Sequence, residues 1–97
     1  MMNYTFHPHA EKELEQIENR YDSIRKGLGN RFRDEIQATI SRILKFPNGW
    51  PQVSGNVRRC RLNSFPYGII YRVKPREVRV LAVMHHRRAP DYWTYRF

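Results

Sequence analysis

The sequence predicts an α+β domain of two layers, in which an N-terminal antiparallel helical hairpin packs on a small antiparallel sheet of about four strands. Up to Pro47, apolar residues recur every three or four positions, as on one face of a helix. From Val57 onward they alternate with polar residues, as in strands, and only short turn-forming segments separate these strands. Strands joined so closely must be antiparallel. A length of 97 residues suits one domain, so residues 1–97 are read as a single unit.

The first half of the chain predicts a short strand and two helices. Asn3–Phe6 is β-prone, and Pro8 suits the first position of a helix. Gly27 and Gly29 end this first helix. A second helix follows and stops at Pro47, and the short glycine turn makes the two helices an antiparallel pair. The predicted apolar stripes are Ala10, Leu14, Ile17, Tyr21, Ile24 and Leu28 on the first helix, and Phe32, Ile36, Ile40, Ile43 and Leu44 on the second.

The second half predicts a loop at residues 48–56 and then strands at Val57–Leu62, Tyr67–Lys74 and Val78–His85. In the first of these strands Arg59 and Arg61 share one face, while Cys60 lies on the apolar face and is expected to be buried and inert. The helices would cover one face of the sheet. We therefore expect the other face to be at least half open to solvent, with the arginines on it or at its edges.

The positive charge is concentrated in the second half of the chain. The first 46 residues carry eight basic and seven acidic side chains, whereas the remaining 51 carry ten basic and two acidic ones. Nine of those ten are arginines, which favour forked contacts with phosphate or carboxylate groups. Solubility alone does not require such segregation. The pattern therefore predicts a polyanionic partner, either a nucleic acid or an acidic protein.

Composition argues against secretion and against a membrane location. Cys60 is the only cysteine, so a disulfide framework is impossible, and no signal peptide is apparent. The longest apolar run is Val80–Met84, far short of the roughly 20 residues that a membrane span needs. We expect a cytoplasmic protein.

The segment from His85 to Trp93 gathers two imidazoles, two guanidiniums and two large aromatic side chains. RNA recognition uses such groups, because cations bind phosphate and aromatic faces stack on unpaired bases. RNA cleavage without a metal also needs a proton acceptor, a proton donor and cations around the phosphate. Histidine is the side chain that titrates near neutral pH, which makes His85 and His86 candidates for proton transfer.

Each of these groups also has a purely structural interpretation. Tyr92 and Trp93 could form a cap that packs over the helices, and Arg87 or Arg88 could pair with Asp91. Adjacent histidines in a strand point in opposite directions, and no other ligand stands at a suitable spacing, so we predict neither a metal site nor a cofactor.

Taken together, these motifs resemble the RelE/ParE superfamily, the small bacterial toxins of type II toxin–antitoxin systems. The match covers almost the whole chain, and the pairing of Phe-Pro-Tyr-x-Ile-Ile-Tyr with His-x-Arg-Arg-x-Pro-x-Tyr-Trp is specific. The resemblance implies a helical hairpin on a four-stranded antiparallel sheet. It also implies that a cognate antitoxin neutralises the protein. The matching residues are Leu28–Phe32, Phe46-Pro47, Trp50-Pro51, Val57–Arg59, Phe65–Tyr67, Ile69–Tyr71, Val80–Val83, His85, Arg87-Arg88, Pro90 and Tyr92-Trp93.

The superfamily divides by target. RelE-like members cut mRNA in the ribosomal A site with basic residues on the central strands and a C-terminal arginine and aromatic residue. Arg59 and Arg61 match the first pair by position, Tyr92 matches the aromatic residue, and Gly68 stands where such toxins usually carry another arginine. ParE-like members poison DNA gyrase without this catalytic set, and many share the His-x-Arg-Arg-x-Pro ending.

We favour ribosome-associated mRNA cleavage without a cofactor as the first functional hypothesis. The alternatives are a ParE-like, non-enzymatic inhibitor of DNA gyrase and a toxin-like domain that has lost activity. In every case the expected partner is a cognate antitoxin with an acidic, amphipathic segment. The candidate catalytic residues are His85, Arg59, Arg61, Arg87 and Tyr92, and the candidate RNA- or target-binding residues are Arg58, His86, Arg88 and Trp93.

Overall fold

A computed structural model describes residues 2–97. Within this range the chain forms two helices and five strands. The two-layer α+β prediction is confirmed, because the helices form one layer and the strands form a single sheet. In chain order the elements are β1 (Asn3–Phe6), α1 (Pro8–Ile24), α2 (Leu28–Lys45), β2 (Gln52–Ser54), β3 (Val57–Arg61), β4 (Tyr67–Val73) and β5 (Glu77–His85).

The sheet has five strands rather than about four, in the order β1-β5-β4-β3-β2. Strands β2 to β5 form an antiparallel meander, and β1 joins it in parallel to β5. A parallel neighbour is possible because both helices lie between β1 and the meander and carry the chain back across the sheet. The short strand β2 lies inside the segment that the sequence predicts as a loop.

The boundary between the helices falls earlier than the apolar stripe suggests. The helical spacing of apolar residues extends to Leu28, but α1 ends at Ile24 and Leu28 begins α2. The backbone reverses at Gly27, whose φ of 90° is readily available only to glycine. Ile24, predicted to face the core, is 68% exposed.

Gly29 lets the two helices approach closely just after this turn. A Cβ atom at Gly29 would lie 2.6 Å from the carbonyl oxygen of Glu18 on α1. The carboxylate of Asp22 accepts a hydrogen bond of 2.8 Å from the Gly29 N–H, which would otherwise lack a partner at the start of α2. The hairpin is therefore fixed by contacts between its two helices.

A β-bulge at Leu81 changes which residues of β5 face the helices. The pairing with β4 passes from Val80 to Ala82, which leaves Leu81 without a partner. Val80 and Val83 consequently both pack against the helices, although they are three residues apart. His85 follows Val83 on this same face. We call the side of the sheet that carries the helices the helix face and the opposite side the outer face.

Both faces of the sheet contain buried apolar residues. The larger cluster lies between the helices and the helix face and includes the buried Cys60, as predicted. The smaller cluster lies on the outer face, where part of the C-terminal segment, residues 86–97, covers the sheet. The expected half-open face is therefore partly closed. The outer cluster contains Val57, Ile70, Leu81, Ala82, Met84 and Trp93.

An ion pair takes the place of a neighbouring strand beside the second half of β5, because β1 pairs only with residues 77–80. The Val83 N–H donates to Glu13 Oε1 at 3.1 Å, and Arg96 Nη1 donates to the Leu81 carbonyl oxygen at 3.1 Å. Arg96 and Glu13 also form an ion pair of 3.0 Å. This pair ties the C-terminal segment to α1 and to the sheet edge.

Neither helix described in residues 2–97 combines the length and the apolar character that crossing a membrane requires.

Candidate functional site

Arg59 and Arg61 lie together on the outer face, as the sequence predicts. Arg61 pairs with Gly68 and Arg59 with Ile70, and opposed residues in an antiparallel pair share a face. The Arg59 side chain crosses the space above Gly68, with its Cγ 3.4 Å from the position that a Cβ would take. Among residues 2–97, no carboxylate lies within ion-pair distance of either arginine. Their charges therefore remain available to an anion.

Two recesses adjoin these arginines. One, of about 290 Å³, lies between Arg59, Arg61 and the Trp50-Pro51 corner. The other, of about 320 Å³, lies between Arg59 and the C-terminal segment and includes Trp93 in its wall. The outer face thus combines guanidinium groups with aromatic and apolar surfaces.

Trp93 is a packing residue rather than an exposed platform for a base. Its side chain is 3% exposed and belongs to the apolar cluster on the outer face. Its indole N–H has no hydrogen-bond partner within the described chain. The alternative interpretation of Trp93 as a cap over the helices is also wrong, because Trp93 covers the opposite face of the sheet.

Arg58 points to the helix face and holds a loop. Its Nη1 donates to the carbonyl oxygens of Asn48 and Trp50, at 3.2 and 2.6 Å. These bonds tie the segment after α2 to β3. Arg58 therefore has a structural role, which the alternation of side chains along β3 does not reveal.

His85 lies on the helix face, opposite Tyr67 in the β4–β5 pair. The two rings meet edge to face, with centroids 5.0 Å apart. Nδ1 of His85 accepts a hydrogen bond of 3.0 Å from the Arg87 N–H. The neutral ring in this arrangement carries its proton on Nε2. The sheet itself separates this imidazole from Arg59 and Arg61.

The turn after β5 displays most of the remaining predicted residues. His86, Arg87 and Arg88 are exposed there. The guanidinium of Arg88 stacks on the ring of Tyr92, 4.0 Å from its centroid. Burial raises the pKa of Tyr92, and the nearby Glu13 carboxylate raises it further, so the phenol stays protonated.

Arg20 is a potential site residue that the sequence analysis missed. It lies on the polar side of α1, where a basic residue gives no distinctive signal. In the structure it reaches a small cavity of about 140 Å³ between α1 and the end of β5. Tyr67, His85 and Arg88 line the same cavity, so part of the Phe-Pro-Tyr motif and part of the His-x-Arg-Arg motif meet there.

The predicted residues thus fall into two groups. Arg59 and Arg61 lie on the outer face, whereas His85 and Arg88 border the cavity on the helix side. Among residues 2–97, no cluster of three or more histidine, cysteine or acidic side chains could hold a metal ion. Burial raises the pKa of the Cys60 thiol to about 11, which keeps it protonated at neutral pH.

Comparisons with known proteins identify the family. Residues 4–90 match the family model described as the ParE toxin of the type II toxin–antitoxin system parDE. A solved structure described as the chromosomal ParDE system from P. aeruginosa contains a similar chain, with a TM-score of 0.76 and 21% sequence identity. The alignment covers 88% of this chain and 96% of that one. A search of curated proteins finds no match. Since the family model spans most of the chain, this protein belongs to the ParE toxin family of type II toxin–antitoxin systems.

Proposed function

We propose that this toxin arrests growth by binding a protein target, DNA gyrase, and not by cutting RNA. One observation carries the proposal: His85 lies on the opposite side of the sheet from Arg59 and Arg61. General acid–base catalysis requires the proton-transferring group within hydrogen-bond reach of the reacting atoms. A phosphate held between Arg59 and Arg61 would be out of reach of this imidazole.

The hydrogen bonding of His85 supports the same proposal. Its Nδ1 already accepts the Arg87 N–H, so only Nε2 can face a ligand, and in the neutral ring this atom is a donor. A general base needs a free lone pair. His85 is therefore better suited to holding the turn and donating a hydrogen bond than to removing a proton.

The exposed part of the C-terminal segment suits a protein interface. Arg87 and Arg88 are exposed, and Tyr95 and Phe97 are 62% and 59% exposed. Arginine and large aromatic side chains supply much of the binding energy at protein interfaces. We therefore assign target binding to this segment.

We also propose that a cognate antitoxin neutralises the protein through an acidic, amphipathic segment. The ten basic and two acidic side chains of residues 47–97 support this partner. A disordered acidic segment can fold as it binds and cover a large surface. Purification of the native complex tests the idea, and a complex without a second acidic chain would contradict it.

Ribosome-associated mRNA cleavage remains the second candidate, because one observation favours it. Arg59, Arg61 and Trp50 border a common recess on the outer face. Guanidinium and indole groups in this arrangement could hold a phosphate and an unstacked base. Under this hypothesis Arg59→Ala and Arg61→Ala should lower the cleavage rate, because each removes a cation that stabilises the charge on the phosphate.

Paired assays on the purified toxin distinguish the two candidates. Inhibition of gyrase supercoiling is measured beside primer extension on ribosome-bound message. We expect inhibited supercoiling and intact message, and we expect Arg87→Ala/Arg88→Ala to weaken the inhibition by roughly tenfold or more. Arg31→Ala, an exposed change on α2, is the control for loss of charge. Cleaved message with unaffected gyrase would reject the proposal.

A further inference from the structure

The cavity between α1 and the end of β5 is lined mainly by hydrogen-bond donors. Four of the donor side chains that line its volume of about 140 Å³ come from three separate parts of the chain. Arg20 comes from α1, Tyr67 begins β4, His85 ends β5, and Arg88 follows in the turn. The size suits a small anionic group.

These donors lack strong acceptors within the described chain. The contact from Arg20 Nη1 to the Tyr67 hydroxyl is long, at 3.4 Å, and uses one of five N–H groups. Arg88 stacks on an aromatic ring, and among residues 2–97 its guanidinium forms no ion pair. His85 offers Nε2–H, since its other nitrogen is occupied. The donors therefore converge without a counter-charge of their own.

Glu13 also lines the cavity but does not neutralise it. Its carboxylate accepts the Val83 N–H and pairs with Arg96, so its charge is matched outside the donor set. It still repels a second anion nearby, and this repulsion grows with the charge of the ligand. A singly charged group is favoured over a phosphate dianion.

We propose that this cavity binds the carboxylate of an acidic side chain from a partner protein, with Arg20 and Arg88 as the two guanidinium anchors. Arginine forks match carboxylates in geometry. Ile17 and Val83 in the wall provide apolar surface for the methylene groups of that side chain. The inference rests on the proposed protein-binding mode of action. The carboxylate belongs either to the antitoxin or to the target.

Titration of the full-length toxin with propionate, which mimics a glutamate side chain, tests the chemistry. Signals of the arginine Nε–H groups are followed by NMR, with inorganic phosphate as the competing probe. We expect saturable shifts at Arg20 and Arg88, and at least tenfold weaker binding in Arg20→Gln and in Arg88→Gln. Arg25→Gln, an exposed loss of charge just after α1, should bind as the unmodified protein does. Circular dichroism confirms that each variant is folded.

Two results of this titration would overturn the proposal. One is propionate binding that is unchanged in Arg20→Gln and Arg88→Gln. The other is tighter binding of phosphate than of propionate, which would indicate a nucleic-acid backbone as the ligand.

Assays with the antitoxin and with gyrase identify which of these two proteins supplies the carboxylate. Antitoxin affinity and inhibition of gyrase supercoiling are measured for Arg20→Gln beside Arg25→Gln. A tenfold loss confined to antitoxin binding assigns the carboxylate to the antitoxin, and a loss confined to supercoiling inhibition assigns it to gyrase. If neither changes, the proposal fails. If the unmodified toxin does not inhibit gyrase but loses antitoxin affinity on Arg20→Gln, only the proposed target is wrong.

Discussion

Breaking the ion pair between Glu13 and Arg96 should destabilise the fold strongly, because the pair is largely buried and stands in for a missing strand. The Arg96 side chain is 7% exposed and that of Glu13 is 15% exposed. Removing one partner from such a pair leaves a buried charge without compensation, at a cost of about 3–5 kcal/mol. A domain of this size has a total stability of roughly 5–15 kcal/mol. Glu13→Gln should therefore lower the urea midpoint markedly.

A double-mutant cycle separates the pair from its surroundings. Arg96→Met alone strands the carboxylate, whereas Glu13→Gln/Arg96→Met removes both charges and should be more stable than the sum of the single changes predicts. Hydrogen exchange at the Val83 amide provides a local readout. Glutamine can still accept this N–H, so protection should survive in Glu13→Gln and be lost in Glu13→Ala. Additive free energies of unfolding, with no coupling between the sites, would refute the reasoning.

The remaining predictions concern three buried side chains. Ile40→Ala should lower the free energy of unfolding by about 2–5 kcal/mol, measured by urea titration. A change near zero would mean that Ile40 is not buried in the core. Trp93→Phe removes an unpartnered N–H, so it should cost much less than the roughly 3–5 kcal/mol of Trp93→Ala, and equal costs would contradict this account. Iodoacetamide should label Cys60 slowly at pH 8, because burial raises its pKa from 9.0 to about 11. The folded thiol has the higher pKa, so stability should fall between pH 9 and 11, and by less in Cys60→Ala.

The helices and the central strands could be predicted because local pattern determines them. Ile36 and Ile40 repeat with the helical period, and Arg59 and Arg61 alternate around Cys60 as residues of a strand do. Each feature depends on side chains close in sequence. Tertiary packing keeps these features, because burying one face of a helix or strand requires apolar residues at the period of that helix or strand.

The features that the sequence missed depend on contacts between distant residues. The side of the sheet that His85 faces depends on the bulge at Leu81, which no alternation pattern reveals in an apolar run. The outward position of Ile24 depends on where the chain reverses, at Gly27. The residue type of Trp93 does not indicate which face of the sheet it covers, because its place on the outer face depends on packing with residues distant in sequence, such as Val57 and Ile70.

The parallel pairing of β1 with β5 has a consequence for synthesis of the chain on the ribosome. Asn3 pairs with Glu77, so the first strand emerges long before its neighbour and cannot join a sheet in the meantime. The helical hairpin depends on nearby contacts and can form early, whereas pairing between distant segments is slow. Glu13 likewise cannot form its ion pair until Arg96 has been synthesised. A nascent chain stalled before residue 77 therefore lacks the sheet edge and the contacts that hold the C-terminal segment. The surface to which we assign target binding forms only as translation of that region is completed.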